Sequence, residues 1–345
     1  MRGIDSSEAE DIGRRVMARF DRPWLLGTGE EQTYLFATPA VAIVELDAMG
    51  ASQSELLGIL FRTLSASRIQ SGVALYNETL DREVHDQLRM EEALERCIRQ
   101  EGMEGFALHY QPIVNAVTGK WCGLEALCRW NAPWNGAVPP DTFIPVVERM
   151  GLIHPLSHWV TNLAVAQCKE WGLDTLEDFV LNINVSPIQM RDPLMVERVR
   201  EVLERYSYPS TKLALEITEG TEFRFDAQEE AVIEGLQRLG VAVVLDDFGT
   251  GYSTFGRLRK LPVEILKTER TMIENIENDS YNQYLLQVVV ELAHAANIKV
   301  VAEGVETQRE QEVLADKGVD FMQGFLFSKP LTPGELSGKL HMFTA

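Results

Sequence analysis

Cysteine and histidine are scarce in this sequence, and neither occurs at a spacing that predicts chemistry. The 345 residues include four cysteines and six histidines. No two cysteines form a CxxC pair, and no histidines form HxH or HExxH, so a zinc site of the usual kind is not predicted. The GxSxG elbow of serine hydrolases is also missing. These absences argue against metal chemistry at zinc and against a serine or cysteine nucleophile.

Basic residues and long apolar runs are lacking as well. Lysine and arginine total 32 against 52 acidic residues, a net charge of −20, which argues against binding to a nucleic-acid polymer or an anionic membrane surface. A small anionic ligand stays open, because a metal ion can reverse the sign of the charge locally. No stretch of about 18 uncharged apolar residues and no leader sequence is found. We therefore expect a cytoplasmic protein with reduced thiols and no membrane segment.

What the sequence does have, from about residue 104 onward, is a regular alternation of short apolar runs with amphipathic helical stretches. Eight such pairs predict an α/β fold in which parallel strands close into a barrel. Gly240 and Gly318 follow two of the helical stretches and predict left-handed C-terminal caps. The predicted strands are contained in GFALHYQPIV, GKWCGLEALCRW, FVLNINVS, KLALEITE, VAVVLDDFG, VEILKTE, IKVVAEGVE and DFMQGFLF.

Polar side chains stand late in these apolar runs or at their exits. In a βα barrel the carboxyl ends of the strands form one face, and active sites lie there. Each residue alone could be a solvated strand end or a helix cap, but together they predict a pocket with several carboxylates, which needs cations or raised pKa values. Oxygen ligands without histidine or cysteine favour Mg²⁺ or Mn²⁺. The set comprises Glu125, Asn184, Glu216, Asp246, Lys267, Glu303 and Gln323.

Two of these acids are adjacent, in the sequence LDDFGTGYS. Neighbouring side chains of a regular strand face opposite sides of the sheet, so Asp246 and Asp247 can enter one pocket only where the pleat is broken. We predict that break at the end of the strand, where FGTG follows. The two carboxylates are then expected to be successive ligands of two cations.

Eight collinear motifs resemble the EAL domain, the family of cyclic di-GMP phosphodiesterases, from about residue 88 to 340. No single motif is specific, but their order and spacing together are. The motifs are QPI at 111–113, EALCRW at 125–130, NVS at 184–186, EITE at 216–219, DDFGTGYS at 246–253, LK at 266–267, AEGVET at 302–307 and QGFLFSKP at 323–330.

The resemblance implies a modified TIM-type (β/α)₈ barrel whose first strand is antiparallel, and hydrolysis of cyclic di-GMP to linear pGpG. It implies two Mg²⁺ or Mn²⁺ ions, with Asp246 bridging them and Lys267 orienting or deprotonating the attacking water. The catalytic residues are then Lys267, Glu125, Asp246 and Asp247. The implied ligands of the first ion are Glu125, Asn184, Glu216 and Asp246, and those of the second are Asp246, Asp247 and Glu303.

The resemblance also implies substrate contacts and a dimer. Arg129 would contact a substrate phosphate, although an ion pair on the barrel rim is the alternative for it. Gln111 and Gln323 would lie near the nucleotide, and Leu127 is either a substrate contact or a core residue. Glu219 would anchor the DFGTGYS loop, which in this family lies near the interface of a homodimer formed through the barrel. Trp130 is expected in the core.

Two motifs depart from the family pattern, LKTE at 266–269 and YSTFGRL at 252–258, where the family more often has YSSLSYL. The sequence LKTE stands where the family usually has LKID, so Thr268 and Glu269 replace isoleucine and aspartate. Glu269 keeps the charge but is one methylene longer, which is expected to shift a contact near the site and slow catalysis. The main alternative to an enzyme is a catalytically weak or silent EAL domain that binds cyclic di-GMP as a receptor. A scaffold that neither binds nor hydrolyses it is a third reading.

The first hundred residues resemble only the C-terminal half of a GGDEF domain, the diguanylate cyclase fold. The GGDEF loop itself is absent, so no cyclase activity is expected. Either the chain begins partway through a longer GGDEF–EAL protein with an upstream sensor region, or a half-domain remnant remains. We predict a partial GGDEF-like α+β segment at 1–76, a linker helix at 77–100 and the EAL domain at 101–345.

Overall fold

The alternating pattern folds into a barrel in the computed structural model, which describes residues 5–21, 24–26, 33–35, 39–44, 53–70, 72–218, 226–249 and 262–344. The chain divides into two compact units, Met1–Leu94 and Glu95–Ala345. Each unit has its own buried apolar residues. None of the helices in the described part of the chain combines the length and the apolar composition that crossing a membrane requires.

The first unit is a small α+β arrangement. Its strands form two short pairs: β1 with β2 is antiparallel, and β3 with β4 is parallel. Ala74, Leu80 and Val84 form a buried apolar cluster, and Arg62 makes a bidentate ion pair with Asp81 at 2.6 and 3.2 Å. The elements are α1 (Ser6–Ala18), β1 (Trp24–Leu26), β2 (Thr33–Leu35), β3 (Val41–Ile43), α2 (Gln53–Gln70), β4 (Val73–Leu75) and the beginning of α3 (Glu78–Arg99).

The second unit contains the eight predicted strands, all of which are present. They are β5 (Phe106–Asn115), β6 (Trp121–Ala132), β8 (Val180–Val185), β9 (Leu213–Thr218), β10 (Ala242–Phe248), β11 (Ile265–Thr268), β12 (Lys299–Ala302) and β13 (Phe321–Met322). A short strand β7 (Gly136–Val138) pairs antiparallel with the end of β6. Most strand residues are buried on both faces, as parallel sheets covered by helices require.

The helices that cover the barrel follow the predicted stretches. In α6, buried residues recur at Met195, Val199, Val202 and Leu203, the spacing of one helical face. Gly240 and Gly318 have φ of 89° and 79°, so both predicted left-handed caps are confirmed. The helices are α4 (Pro140–Arg149), α5 (Ile153–Glu170), α6 (Met195–Tyr206), α7 (Ala227–Leu239), α8 (Arg270–Ile273), α9 (Ser280–Ala295), α10 (Gln308–Asp316) and α11 (Pro333–Ser337).

The barrel is closed, and its first strand is reversed. The strand order is β5-β13-β12-β11-β10-β9-β8-β6, and β5 also pairs with β6. The strand β5 is antiparallel to both of its neighbours, whereas β6, β8 and β9 to β13 run parallel to one another. The predicted modified (β/α)₈ barrel is therefore confirmed. Trp130 is 1% exposed and stacks on Phe106, so its predicted core position is confirmed as well.

The helix α3 runs without a break across the boundary between the two units. It carries an apolar stripe at Leu80, Val84, Ala93, Leu94, Cys97 and Ile98, all buried. The predicted helix at 77–100 agrees with these bounds. The wider division into a partial GGDEF-like segment, a linker and an EAL domain remains a prediction.

The unusual threonine of LKTE gives the first testable expectation, on stability. Thr268 is fully buried in β11, and its hydroxyl has no hydrogen-bond partner among the described residues. Because a buried hydroxyl without a partner costs free energy, Thr268→Val is expected to raise the free energy of unfolding by about 1 kcal/mol. Urea denaturation measures the change.

The matched control is Thr161→Val. The Thr161 side chain is also buried, but its hydroxyl donates to the Ser157 carbonyl at 2.9 Å. Its removal is expected to leave stability unchanged or to lower it by about 1 kcal/mol. Equal effects of the two substitutions would contradict the assignment of an unpaired hydroxyl at Thr268.

Candidate active site

A β-bulge in β10 brings the two adjacent aspartates to one side. Leu245 lies opposite Leu266 of β11, and Phe248 lies opposite Thr268. Two residues, Asp246 and Asp247, therefore face one residue of the partner strand, which is the definition of a bulge. Asp247 has φ of 56°, rare for a residue other than glycine, and its amide donates to Asp246 Oδ1 at 2.9 Å. The predicted break in the pleat exists, but it lies inside the strand rather than in the FGTG sequence.

Lys267 is the cation at the centre of the barrel mouth. Its side chain is 1% exposed, and its Nζ lies 3.2 Å from Glu125 Oε2, 2.9 Å from Glu216 Oε2 and 2.5 Å from Glu303 Oε1. Asp246 Oδ1 is 3.9 Å away. Burial lowers the pKa of Lys267, but these carboxylates, Asp246 first, raise it well above the ordinary value. In the metal-free protein these charges therefore favour the ammonium form of Lys267, which can donate hydrogen bonds but cannot accept a proton.

Asp246, Asp247 and Glu303 form a second feature of the mouth, a carboxylate trio. Each offers one oxygen, and these oxygens all lie within 4.8 Å of one another. Asp246 is buried, while Asp247 and Glu303 are half-buried. Three hard oxygen donors so close together repel one another unless a cation or protons are shared among them.

A hydrogen-bonded network of amides surrounds Glu125. Asn184 Nδ2 donates to Glu125 Oε1 at 2.6 Å, and Gln323 Nε2 donates to Glu125 Oε2 at 2.7 Å. Gln323 Nε2 also lies 3.2 Å from Gln111 Oε1, and Gln111 donates to the Ser328 carbonyl at 3.2 Å. The structure thus brings together all seven polar residues predicted at the strand exits, with Gln111 beside them.

Glu216 is the most deeply buried carboxylate of the group. It is 1% exposed, and its Oε1 has no hydrogen-bond partner among the described residues. Burial, and then the nearby charge of Glu125, raise its pKa well above the ordinary value. Burial alone would raise the pKa of Glu125. The charge of Lys267, together with the hydrogen bonds that Gln323 and Asn184 donate to Glu125, outweighs burial and lowers the pKa. An unpaired buried carboxylate oxygen facing other acids is the arrangement that a bound cation satisfies.

The trio gives a pH-dependent prediction for the protein in chelator-treated buffer. Burial, followed by the charge of Asp246, raises the pKa of Glu303 from 4.5 to about 7 despite the opposing effect of Lys267. Between these two values the unfolded chain loses a proton that the folded chain keeps, so stability falls as pH rises from about 4.5 to about 7. One such group gives a slope of up to about 1.4 kcal/mol per pH unit.

Urea titrations across this interval check the expectation, with Glu303→Gln as the comparison. The variant has no carboxyl at this position, so its stability should fall less over the same pH range. Parallel curves for the two proteins would contradict the assignment.

Two solvent-open hollows meet at the carboxylates. The first, about 280 Å³, is lined by Gln111, Gln323, Arg270, Glu306, Gly324 and Phe325 among others. The second, about 450 Å³ and mostly apolar, runs along α4 and α5 past Arg129, Ile144, Pro145, Asn184, Pro187 and Asp247. Both share Glu125, Leu127 and Asp246. The mouth is therefore one trough with the acids at its middle.

Arg129 stands in the wall of the second hollow. Its Nη1 donates to the Cys128 carbonyl at 2.9 Å, and burial lowers the pKa of its guanidinium. No carboxylate of the described residues lies within ion-pair distance of it, in contrast to the alternative of a rim ion pair. Leu127 is half-buried and lines both hollows, so it belongs to the trough rather than to the closed core.

The loops after β12 and β13 touch through a glycine. A Cβ added to Gly324 would lie 2.1 Å from the Val305 carbonyl oxygen and 2.3 Å from its nitrogen. The two loops are also joined by the hydrogen bonds from Val305 N to Gln323 O and from Leu326 N to Val305 O. This close approach holds Glu303 and Gln323 at the same side of the mouth.

Not every residue of the site was identified from the sequence. Arg270 and the half-exposed Phe325 line the first hollow. Glu269, the unusual acid of LKTE, accepts a hydrogen bond from the Thr271 hydroxyl at 2.8 Å, and its charge is among those that raise the pKa of Asp247, after burial and Asp246. Glu219 is not among the described residues, so its predicted role in the loop remains a prediction.

Comparison with curated proteins gives relatives over nearly the whole chain. MucR of Pseudomonas aeruginosa, a bifunctional diguanylate cyclase/cyclic di-GMP phosphodiesterase, is 30% identical over 336 residues, covering 96% of this chain and 48% of MucR. NbdA of the same organism, a cyclic di-GMP phosphodiesterase, is 32% identical over 326 residues, covering 94% of this chain and 41% of NbdA. The chain spans about half the length of such relatives, or less.

Solved structures show the same barrel. The MucR phosphodiesterase in complex with cyclic di-GMP is 36% identical, with a TM-score of 0.65 over 71% of this chain and 99% of that one. The EAL enzyme Bd1971 in its cGMP-bound form is 29% identical, with a TM-score of 0.70 over 84% of this chain and 76% of its own. The sequence profile of the EAL domain matches residues 91–330. The chain therefore belongs to the EAL domain family.

Proposed function

We propose that the chain hydrolyses cyclic di-GMP to linear pGpG with the help of two divalent cations. The observation that carries this proposal is the bulge in β10, which brings Asp246 and Asp247 together with Glu303 at the middle of a two-armed trough. A cyclic dinucleotide has a phosphodiester flanked by two bases, and this trough has acids at its middle and an arm on each side. The relatives named as cyclic di-GMP phosphodiesterases support the same reaction.

The side chains fit a pair of Mg²⁺ or Mn²⁺ ions. All donors are oxygen atoms, which these ions prefer over nitrogen and sulfur. Fully ionised, five carboxylates around one ammonium carry a net charge of −4, which two divalent cations neutralise. The unpartnered Oε1 of Glu216 would gain a partner. In the proposal, Glu125, Asn184, Glu216 and Asp246 hold one ion, and Asp246, Asp247 and Glu303 hold the other.

When bound, such ions supply charge neutralisation at the phosphoryl group and activation of water for attack on phosphorus. The surrounding carboxylates raise the pKa of Lys267 in the metal-free protein, and Lys267 is proposed to keep its proton in the metal-loaded site as well. It therefore orients the water by donating a hydrogen bond and does not act as a base. Of the two roles expected from the sequence, orientation of the water is therefore the one proposed.

The substrate is held by the two arms of the trough. The Arg129 guanidinium, half-buried and without an ion-pair partner among the described residues, is proposed to bind a phosphate of the dinucleotide by two parallel hydrogen bonds. Gln111 and Gln323 are proposed to contact the nucleotide in the other arm, and Leu127 to pack against it. Residues between the arms, at Glu125 and Asp246, then face the scissile phosphodiester.

The proposal is tested by incubating the purified chain with cyclic di-GMP and either Mg²⁺ or Mn²⁺ and following pGpG by chromatography. Formation of pGpG that stops on addition of a chelator supports it. Tight binding of cyclic di-GMP without pGpG would instead support the receptor, and neither binding nor product would support the scaffold. A metal-free control and a Ca²⁺ control show whether formation of pGpG depends on the ion added, and an Asp246→Asn variant purified in the same way reports contaminating activity.

Three further proposals concern the chain beyond its site. Residues 1–76 are proposed to be a partial GGDEF-like segment, joined by the helix at 77–100 to the EAL domain at 101–345; similarity to the bifunctional MucR over 96% of this chain supports this. The chain is proposed to form a homodimer through the barrel, with Glu219 anchoring the loop near the interface. It is proposed to act in the cytoplasm, on a signal received by a sensor region upstream.

A further inference from the structure

Glu303 stands on a loop and not on a strand, unlike most of the acids around it. The strand β12 ends at Ala302, and Gly304, the residue after Glu303, has φ of 75°. A left-handed residue directly beside Glu303 means that its carboxylate is aimed by the fold of residues 303–307 rather than by a β-ladder. The position of Glu303 therefore depends on what holds this loop.

The loop is held in part by exposed or purely backbone contacts. Arg270 Nη2 lies 2.7 Å from Glu306 Oε1, but both side chains are about half exposed, and such surface ion pairs contribute little. The backbone of Val305 is bonded to Gln323 and Leu326, which fixes the middle of the loop. Neither contact fixes the end of the loop at residues 306–307.

Glu310, in the first turn of α10, fixes that end from inside the protein. It is 5% exposed, and its Oε2 accepts hydrogen bonds from Glu306 N at 2.8 Å and Thr307 N at 2.9 Å. Its Oε1 accepts one from Asn275 N at 3.3 Å. Hydrogen bonds to an ionised carboxylate are stronger than those between neutral groups. One buried side chain thus joins the loop after β12 to the segment that follows β11, the strand of Lys267.

The bond to Asn275 and the bond to Glu306 go beyond what a helix cap requires. Thr307 and Glu310 form a capping box, in which the threonine accepts from Glu310 N and the glutamate accepts from Thr307 N. Thr332 and Glu335 form the same motif at α11, where Glu335 accepts only from the amide and hydroxyl of Thr332 among the described residues. Glu310 has the same local task and two additional backbone partners, Glu306 N in the loop after β12 and Asn275 N in the segment after β11.

We propose that Glu310 is a positioning residue for Glu303 and that it sets the affinity of the site for the second cation. The inference rests on the proposed function, in which Glu303 and Asp247 hold that ion with Asp246. Glu310 contacts neither the ion nor the substrate. It acts by holding the loop so that the Glu303 carboxylate stays within reach of the other two.

The test measures Mn²⁺ binding to the full chain directly, by the electron paramagnetic resonance signal of free Mn²⁺, with Glu310→Gln as the variant. The glutamine replaces one acceptor oxygen by a donor that faces backbone N–H groups. We expect the dissociation constant of the second Mn²⁺ ion, the one that Asp246, Asp247 and Glu303 are proposed to hold, to rise about 10- to 100-fold. This is the usual effect of removing a residue that holds a metal ligand in place. We expect kcat at saturating Mn²⁺ and the KM for cyclic di-GMP to change much less.

Two controls separate positioning from helix capping. Thr307→Ala removes the hydroxyl half of the same capping box but leaves the Glu310 carboxylate on its three amides, so Mn²⁺ affinity should stay at the wild-type value. Glu335→Gln removes the corresponding glutamate at α11 and should also leave it unchanged. Circular dichroism reports whether each variant folds. Should Glu310→Gln not fold, Glu310→Asp, which keeps the charge on a shorter side chain, is expected to weaken Mn²⁺ binding in the same sense.

The inference is overturned if the folded Glu310 variant binds Mn²⁺ as the wild type does, or if Thr307→Ala weakens binding as much. Either result leaves the proposed function intact when the wild type still yields pGpG. A wild-type chain that neither binds Mn²⁺ nor hydrolyses cyclic di-GMP defeats the proposed function, and the inference with it, before any variant is compared.

Discussion

An Asp246→Asn variant is expected to lose hydrolysis of cyclic di-GMP by at least about 10²–10³-fold while remaining folded. Asp246 is 8% exposed, lines both hollows and lies within the carboxylate trio, so it is the residue that every part of the proposed site shares. Asparagine has the same shape, and its side-chain oxygen can still accept from Asp247 N, as Asp246 Oδ1 does at 2.9 Å. The bulge is therefore expected to persist.

The measurement is the rate of pGpG formation at several Mn²⁺ concentrations, beside a Mn²⁺ binding curve. Removing one carboxylate from the trio should weaken binding of cations as well as turnover, so excess Mn²⁺ should restore activity only in part. Asp316→Asn removes the same charge at an exposed position of α10 and serves as the control. A variant at Asp246 that retained turnover within tenfold of the control would refute the bridging role.

A Lys267→Met variant is expected to show opposite changes in catalysis and in cation binding. Turnover should fall by roughly 10²–10³-fold, the usual cost of removing one preorganised hydrogen-bond donor from an active site. Mn²⁺ binding should tighten, because the net charge of the surrounding side chains becomes more negative by one.

The same variant is expected to be less stable in chelator-treated buffer. Lys267 Nζ is the ion-pair partner of two almost fully buried carboxylates, those of Glu125 and Glu216. Removing one partner of a buried ion pair costs about 3–5 kcal/mol, since the remaining charges lose their compensation. Added Mn²⁺ should recover most of this loss by binding the folded state.

Urea denaturation with and without Mn²⁺ tests the stability change, and Lys120→Met, at an exposed lysine, is the control. Turnover close to that of the wild type would rule out any role of Lys267 with the water. Weaker Mn²⁺ binding in the Lys267 variant would show that the ammonium supports the cations instead of competing with them.

The barrel could be predicted from the sequence because its signal is repeated eight times. Each buried parallel strand is a short apolar run, and each covering helix has its own period, so an error in one element does not change the fold. The carboxyl ends of the strands could be predicted for the same reason, and the polar residues predicted at those ends do meet at the mouth of the barrel. Glu125 Oε2 in β6 lies 3.2 Å from Lys267 Nζ in β11, although the two residues are 142 positions apart in the sequence.

The geometry within the mouth could not be predicted in the same way. A bulge inserts one residue without changing the apolar pattern, so LDDF does not reveal that the break in the pleat lies inside β10, between Leu245 and Phe248. The strand β13 has only two residues, Gln323 lies just beyond its end, and Gly324 packs on the Val305 backbone. That contact joins residues distant in sequence and leaves no periodic trace.

For Glu310, the sequence predicts the helix cap but not the contact that the same side chain makes with a distant segment. The sequence Thr307-x-x-Glu310 is a recognisable capping box and predicts the start of α10. The hydrogen bond from Asn275 N to Glu310 depends on how the segment after β11 packs against α10, and nothing in the local sequence pattern encodes that packing.

The reversed direction of β5 has a consequence for how the polypeptide reaches the barrel. In an all-parallel barrel the first strand starts at the face opposite the mouth, so anything joined to the amino terminus is attached one barrel length from the chemistry. Here Phe106 pairs with Trp130 and Ala107 with Arg129, so the chain enters β5 at the rim of the trough. The polypeptide that precedes β5 is therefore attached at the same face as the carboxylates, and Gln111 follows a few residues further along the same strand.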